Sequence, residues 1–192
     1  MPVFEALYEI NIETMNIELE TDRLLLRQWK EEDFDAFATM NADPEVMEFY
    51  PNIQSLEESF DMARKFQNLI SEKGWGFWAV ERLCDNSFIG FVGLHEPTFD
   101  LPVTPCTEIG WRLSRNAWGK GYATEAAKEA LKFAFNELKL GQVYSFTSVG
   151  NLRSRAVMEK IGMKNTNANF NHPIIPEGHS LSEHVLYKIS SV

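Results

Sequence analysis

Cysteine is scarce in this chain. Cys84 and Cys106 are the only two in 192 residues, they lie far apart, and neither has metal-type spacing. That excludes a disulfide framework and fits free thiols in a reducing cytoplasm, where we expect the protein to work. Long apolar runs are lacking too. No stretch approaches the ~18 consecutive apolar residues of a spanning helix, and neither a basic leader before an apolar block nor a lipidation signature is present, so membrane insertion and export are not expected. Positive charge is short, with 18 Lys and Arg against 28 Asp and Glu for a net −10, which argues against nucleic acid as a partner. His172, His179 and His184 share no common ligand spacing and have no cysteine beside them, so no metal is expected. There is no internal repeat, and the full Gly-x-Gly-x-x-Gly of a dinucleotide fold is absent.

What is present is enough apolar residue, 44%, for one core. We expect a single domain over residues 17–192, preceded by an extension, residues 1–16, that has no clear period. The chain is organised around Glu108 to Ala126, which reads as a strand, a glycine-bearing loop and the start of a helix. In Trp118-Gly119-Lys120-Gly121-Tyr122 the glycines let backbone N–H groups face outward with no Cβ in the way. The helix beginning near Ala123 adds its unpaired N-terminal donors and the positive end of its dipole. This is a way to hold a pyrophosphate, although Gly-x-Gly before a helix also serves as a plain tight turn.

The other elements follow from periodicity. Arg23 to Trp29 predicts a strand, and Glu31 to Met40 a short helix broken at Asp43-Pro44. Ser55-Leu-Glu-Glu58 is a capping box that opens a helix ending at Gly74. Strands are expected from Gly76 to Arg82 and from Ser87 to Leu94, and a loop with three prolines from Pro97 to Cys106. Thr107 to Ser114 is a strand whose Gly110 predicts a bulge or a close backbone approach. An alanine-striped helix from Ala123 to Leu138, a strand from Gln142 to Val149, and a helix from Leu152 to Ile161 capped by Asn151 come next. Lys164 to Glu183 has no period and is expected to be loop, before a last strand from His184 to Ser190. The order is mixed α/β.

Charge is uneven along the chain. Residues 1–63 hold sixteen acidic side chains against three basic ones, and the remainder has a slight basic surplus. Between Glu108 and Glu125 the only charges are Arg112, Arg115 and Lys120. An anionic ligand on that half and a cationic one opposite the acidic third would suit such a distribution.

Three stretches, Ile109-Gly-Trp-Arg-Leu113, Trp118-Gly-Lys-Gly-Tyr-Ala-Thr-Glu-Ala126 and Asn151-Leu-Arg-Ser-Arg-Ala-Val-Met-Glu-Lys-Ile-Gly-Met163, resemble the core of the GNAT family of N-acetyltransferases, and its RimJ/RimL-like branch in particular. The resemblance runs from Thr21 to Tyr187. It implies an α/β fold with a single mixed, mostly antiparallel central sheet, splayed in the middle and flanked by helices, and it implies acetyl-CoA as co-substrate. The family places acetyl-CoA against Trp111, Arg112 and Leu113 on the strand, against Trp118, Gly119, Lys120, Gly121, Tyr122, Ala123 and Thr124 at the cradle, and against Asn151 and Arg155. Trp118 stands where the family's pattern has Gln or Arg, a departure tolerable for donors that are main-chain. A bulge at Gly110 would leave a free N–H to polarise the thioester carbonyl.

The implied reaction is direct attack of an amine on a thioester, so the amine must lose a proton and the thiolate must leave. Glu108, at the head of the splayed strand, is the candidate base; the other reading is a solvated strand-end carboxylate. Met158 occupies the place of the family's acidic tyrosine. Ser154 is then the candidate acid, unless it is a small residue making room for pantetheine. Phe170 and His172 are expected to shape the acceptor mouth, and the acceptor is expected to be a cationic primary amine, either a small molecule or a protein N-terminus. A monomer or homodimer is expected. The alternative function is a CoA-binding regulatory or protein-interaction module without catalysis.

Overall fold

The structure is a computed structural model that describes residues 17–191, so the expected N-terminal extension lies outside the described residues. The apolar stretch after Arg23 forms β2 (Leu24–Arg27), with Leu24 and Leu26 fully buried, and pairs with the short β1 (Leu19–Glu20). Then come α1 (Asp33–Asn41) and α2 (Leu56–Lys73). The capping box is complete, with the Ser55 hydroxyl accepting from the Glu58 N–H and the Glu58 carboxylate accepting from the Ser55 N–H. Gly74, at φ 81°, ends the helix in the left-handed region that glycine tolerates.

A hairpin of β3 (Phe77–Arg82) and β4 (Ser87–His95) leads through the proline loop to β5 (Glu108–Leu113). After it come α3 (Tyr122–Asn136), β6 (Gln142–Ser148) and α4 (Leu152–Lys160). The segment expected to be featureless loop carries β7 (Lys164–Asn165) and β8 (Phe170–Asn171), both hydrogen-bonded to the last strand, β9 (Glu183–Ser190). The nine strands of the described residues form one sheet in the order β1-β2-β3-β4-β5-β6-β9-β7, with β8 also on β9. All pairs are antiparallel except β5 with β6. No described helix is long and apolar enough to cross a membrane.

Helices cover both faces. Directly opposed residues of an antiparallel ladder share a face, so Phe91 and Arg112, Gly93 and Gly110, and His95 and Glu108 all lie on one side. α1 and α2 pack there: the Phe37 ring lies 6.0 Å from Phe91, and Phe66 lies 5.1 Å from Phe77. On the opposite side Trp78 meets Phe133 of α3 edge-on at 5.6 Å. Beneath α1, buried Arg27 donates to both oxygens of Asp33 (2.7 and 2.8 Å) and to Glu81 (2.6 Å), which Lys30 also reaches at 3.5 Å, so two buried carboxylates share one buried cation. Breaking such a set costs ~3–5 kcal/mol.

The bulge expected at Gly110 is not there. Gly110 sits in register opposite Gly93, and its missing Cβ makes room for the Phe77 ring, which would lie 3.1 Å from it. The irregularity falls one ladder away, between Val80 and Glu81 of β3, where Gly90 of β4 takes φ 133° and a Cβ would meet the Arg112 carbonyl oxygen at 2.2 Å.

Candidate active site

β5 and β6 touch at one rung only, Glu108 with Tyr144, where the Tyr144 N–H donates to the Thr107 carbonyl (3.0 Å). Beyond it the two strands part and leave a seam. Ladder alternation decides which β5 groups face the seam. The Ser114 N–H donates to Ile89 on β4 at 2.9 Å, so Arg112, Gly110 and Glu108 also bond toward β4. The N–H groups of Ile109, Trp111 and Leu113 therefore face the seam. Two of the expected cofactor residues, Trp111 and Leu113, present their main chain there, and Gly110 does not. The Leu113 carbonyl is taken by the Trp118 indole N–H at 2.8 Å, which ties the loop after β5 to the strand.

That loop ends in Gly119 and Gly121, at φ 73° and 83°, and Gly121 is the N-cap of α3. The N–H groups of Gly119, Lys120, Gly121, Tyr122, Ala123 and Thr124 have no protein acceptor among the described residues. Six consecutive free donors, three of them at a helix N-terminus, form an anion-binding array. No sequence signal pointed to what holds it. Arg23, preceding β2, donates to the Lys120 carbonyl (3.1 Å) and to Glu125 in the first turn of α3 (2.7 Å), and lies 4.6 Å over the Tyr122 ring. Thr21 donates to the same carboxylate at 2.7 Å. These contacts span about a hundred positions of sequence, which is why a local reading does not find them.

The other expected cofactor residues are placed differently. Asn151 accepts from the Ser154 N–H (3.1 Å) and donates to Thr147 (3.0 Å), so its side chain is occupied in capping α4. Arg155 donates to the Val149 carbonyl (3.0 Å) and reaches the Tyr187 hydroxyl at 3.5 Å. Arg112 is buried on the α1 side of the sheet, donating to Asn41 (2.7 Å) with the Tyr50 ring 4.1 Å away, so its guanidinium is directed away from the array. Ser154 is half-buried beside the fully buried Met158, and its hydroxyl has no protein partner among the described residues.

Glu108 stands at the point where the seam opens. It has neither an ion pair nor a side-chain hydrogen bond among the described residues, and burial pushes its carboxyl up to about 8. Although part of its surface reaches solvent, the carboxyl is largely enclosed, and enclosure without a compensating donor is what raises it. Across the β4 ladder stands His95, held below its usual value by burial and then by Lys65 and Lys73. Along β6, Phe146 joins Phe99 (6.4 Å), Phe170 (5.9 Å) and His172 (5.7 Å). The His172 and His184 rings are 4.8 Å apart, and burial, with His184 second, brings His172 down to about 4. Phe170 and His172 thus belong to one aromatic wall that pins the proline loop and β8 to β6. Phe99, Phe146 and His184 are wall residues that sequence patterning did not single out.

A family model described as acetyltransferase (GNAT) domain matches residues 23–164. The chain is 33% identical over 161 residues to YkkB of Bacillus subtilis (strain 168), covering 81% of this chain and 91% of that protein. It is 33% identical over 160 residues to the FsC-acetyl coenzyme A-N(2)-transacetylase of Aspergillus fumigatus, covering 80% of this chain and 67% of that one. Among solved structures, an acetyltransferase (GNAT family) from Bacillus anthracis superposes with a TM-score of 0.75 at 28% identity, covering 91% and 98% of the two chains.

Proposed function

We propose that this chain, which belongs to the acetyltransferase (GNAT) family, moves an acetyl group from acetyl-CoA to a primary amine by direct attack on the thioester. The observation that carries the reading is the run of free amide donors from Gly119 to Thr124 beside a sheet seam lined by further free N–H groups. A pyrophosphate fits the first, and an extended amide-bearing arm fits the second. One relative is named for acetyl coenzyme A and an N(2) position, which supports nitrogen as the acceptor atom. Placement in the RimJ/RimL-like branch is part of the same proposal and rests on the motifs of residues 118–126 and 151–163.

In this reading Glu108 takes the proton from the acceptor's ammonium, and the freed nitrogen attacks the thioester carbon. As the C–N bond forms, negative charge gathers on the thioester oxygen, where the Trp111 N–H, not that of Gly110, is the seam-facing donor. The C–S bond then breaks, the nitrogen gives up its second proton as the amide forms, and that proton reaches the thiolate through water and the Ser154 hydroxyl. Since Glu108 titrates near 8, its ionised fraction rises with pH over the range in which an α-amine, with a pKa near 8, also loses its proton.

The cationic primary amine expected from the acidic first third is part of the proposal, and the placed charges narrow which carboxylates could draw it in. Asp33 pairs with Arg27, Asp43 and Glu45 with Arg115, and Glu48 with Arg153 at 2.6 Å, so these four of the sixteen acids in residues 1–63 are partnered. Those four lie against arginines distant in sequence or across a turn, and the other acids of the segment are left to set its charge. The test of the function is thiol release from acetyl-CoA over a panel of primary amines. Amine-dependent release is expected; binding of acetyl-CoA with no release for any amine would replace this reading by that of a non-catalytic CoA-binding module.

A further inference from the structure

We propose that the acceptor carries an anionic group at the end remote from its amine, a carboxylate in the simplest case, seated in the cavity between α2 and the ends of β3 and β4 against Lys65 and Lys73. The inference rests on the acetyltransferase reading and names the substrate class for the same site.

The cavity measures about 310 Å³ and is lined by Lys65, Leu69, Lys73, Trp75, Phe77 and His95 among others, a size and an apolar character that suit part of a small molecule. Its position is set by the ladder. His95 lies directly opposite Glu108 on the same face, as a hydrogen-bonded pair with Cα atoms ~5.5 Å apart, so the cavity begins one strand away from the candidate base. Phe77, which fills the space over Gly110, has its ring 5.3 Å from that of His95 and makes the floor continuous from the seam to the cavity.

The charge of the cavity is the reverse of the chain's. Lys73 pairs with Glu96 and lies 5.4 Å from the Trp75 ring, while Lys65 makes no ion pair among the described residues. Two ammonium groups and one carboxylate leave the rim positive in a protein of net charge −10. His95 registers the same field: after burial, the two lysines depress its basicity more than Glu96 restores it. Of the carboxylates beside Lys65 on α2, Asp61 pairs with Arg64 and Glu58 accepts from the Ser55 N–H. A zwitterionic acceptor with its amine at Glu108 and its anion at Lys65 and Lys73 answers both ends, and charge-assisted hydrogen bonds from ammonium to carboxylate are the stronger kind.

The experiment compares ω-amino acids of graded chain length with the matching ω-amino amides, which differ only in the remote charge. At the best-fitting length the acid is expected to exceed the amide in kcat/KM by about tenfold or more. The Lys65→Met/Lys73→Met double variant should bring that ratio close to one, Lys65→Arg should keep it, and thermal melting reports that each variant folds. Amides acetylated as well as acids at every length, or a preference that survives the double variant, overturns this inference alone. Failure of every amine overturns the transferase reading and takes this inference with it.

Discussion

The cradle and the acceptor wall solve recognition in opposite ways. The cradle is six consecutive residues, and its donors are main-chain N–H groups, so side-chain identity matters there chiefly where φ is positive, at Gly119 and Gly121. The acceptor wall draws side chains from α2, β4, the proline loop, β6, β8 and β9, and almost none of them are neighbours in sequence. One site is written locally and reads out a phosphate that looks the same in every CoA ester. The other is assembled by the fold and can change its acceptor without disturbing the first.

Substitutions that act on one side only would sharpen that contrast. The largest effect is expected at Gly121. Gly121→Glu puts a side chain and a negative charge where the anion sits, and acetyl-CoA affinity by calorimetry should fall by about 100-fold or more. Because φ is 83° there, Gly121→Ala is needed to isolate backbone strain of ~1–2 kcal/mol, and the gap between the two variants measures the anion site. Lys120→Ala should change affinity by no more than about threefold, since its contribution is a main-chain one. Equal affinity in Gly121→Glu and Gly121→Ala would remove the cradle.

Next in size is Glu108→Gln, which should lower kcat/KM by roughly 10²–10³ and leave only the rise of rate that follows the acceptor amine's own pKa. Stability supplies an independent check. The folded-state pKa is raised, so the carboxyl favours the fold below its unfolded value near 4.3, and that contribution is lost as pH climbs to about 8. The parent's Tm should therefore fall between pH 5 and 9 more steeply than that of Glu108→Gln. Parallel Tm curves, with the acidic limb of the rate profile intact, would make Glu108 structural.

Arg23→Ala comes third. It leaves the Lys120 carbonyl and Glu125 without their common partner, and acetyl-CoA affinity is expected to drop about three- to tenfold with the acceptor's KM little changed. An equal loss on both sides would mean that the two regions are not separable. Ser154→Ala is the smallest, about tenfold or less in kcat, because a thiol of pKa near 8.5 leaves tolerably without an acid.

This contrast also explains what the sequence could reveal. The cradle, the capping box at Ser55 and the main strands are short-range patterns, and each stands within a residue or two of its expected place. Gly110 was misread because period and composition do not say which strand lies opposite; the ladder partner, Gly93, decides that it packs under Phe77 while Gly90 takes the bulge. β7 and β8 are two residues each, too short for any period, and exist because β9 has an edge that β6 leaves free to pair with. The acidic first third invited a reading of its sum, whereas Arg115 with Glu45 and Arg153 with Glu48 are facts of the fold.

The single rung between β5 and β6 makes the sheet two plates hinged at Glu108 and Tyr144, with the N–H groups of Trp111 and Leu113 left over along the crack. A plate boundary of this kind is mechanically soft in the empty protein, and whatever lies in the crack acts as its mortar. By linkage, a ligand at one hundred times its dissociation constant adds ~2.7 kcal/mol to the folded state. In hydrogen exchange that gain should appear first as slowed amides along β5 and β6, so the strands flanking the crack would report occupancy before any product is formed.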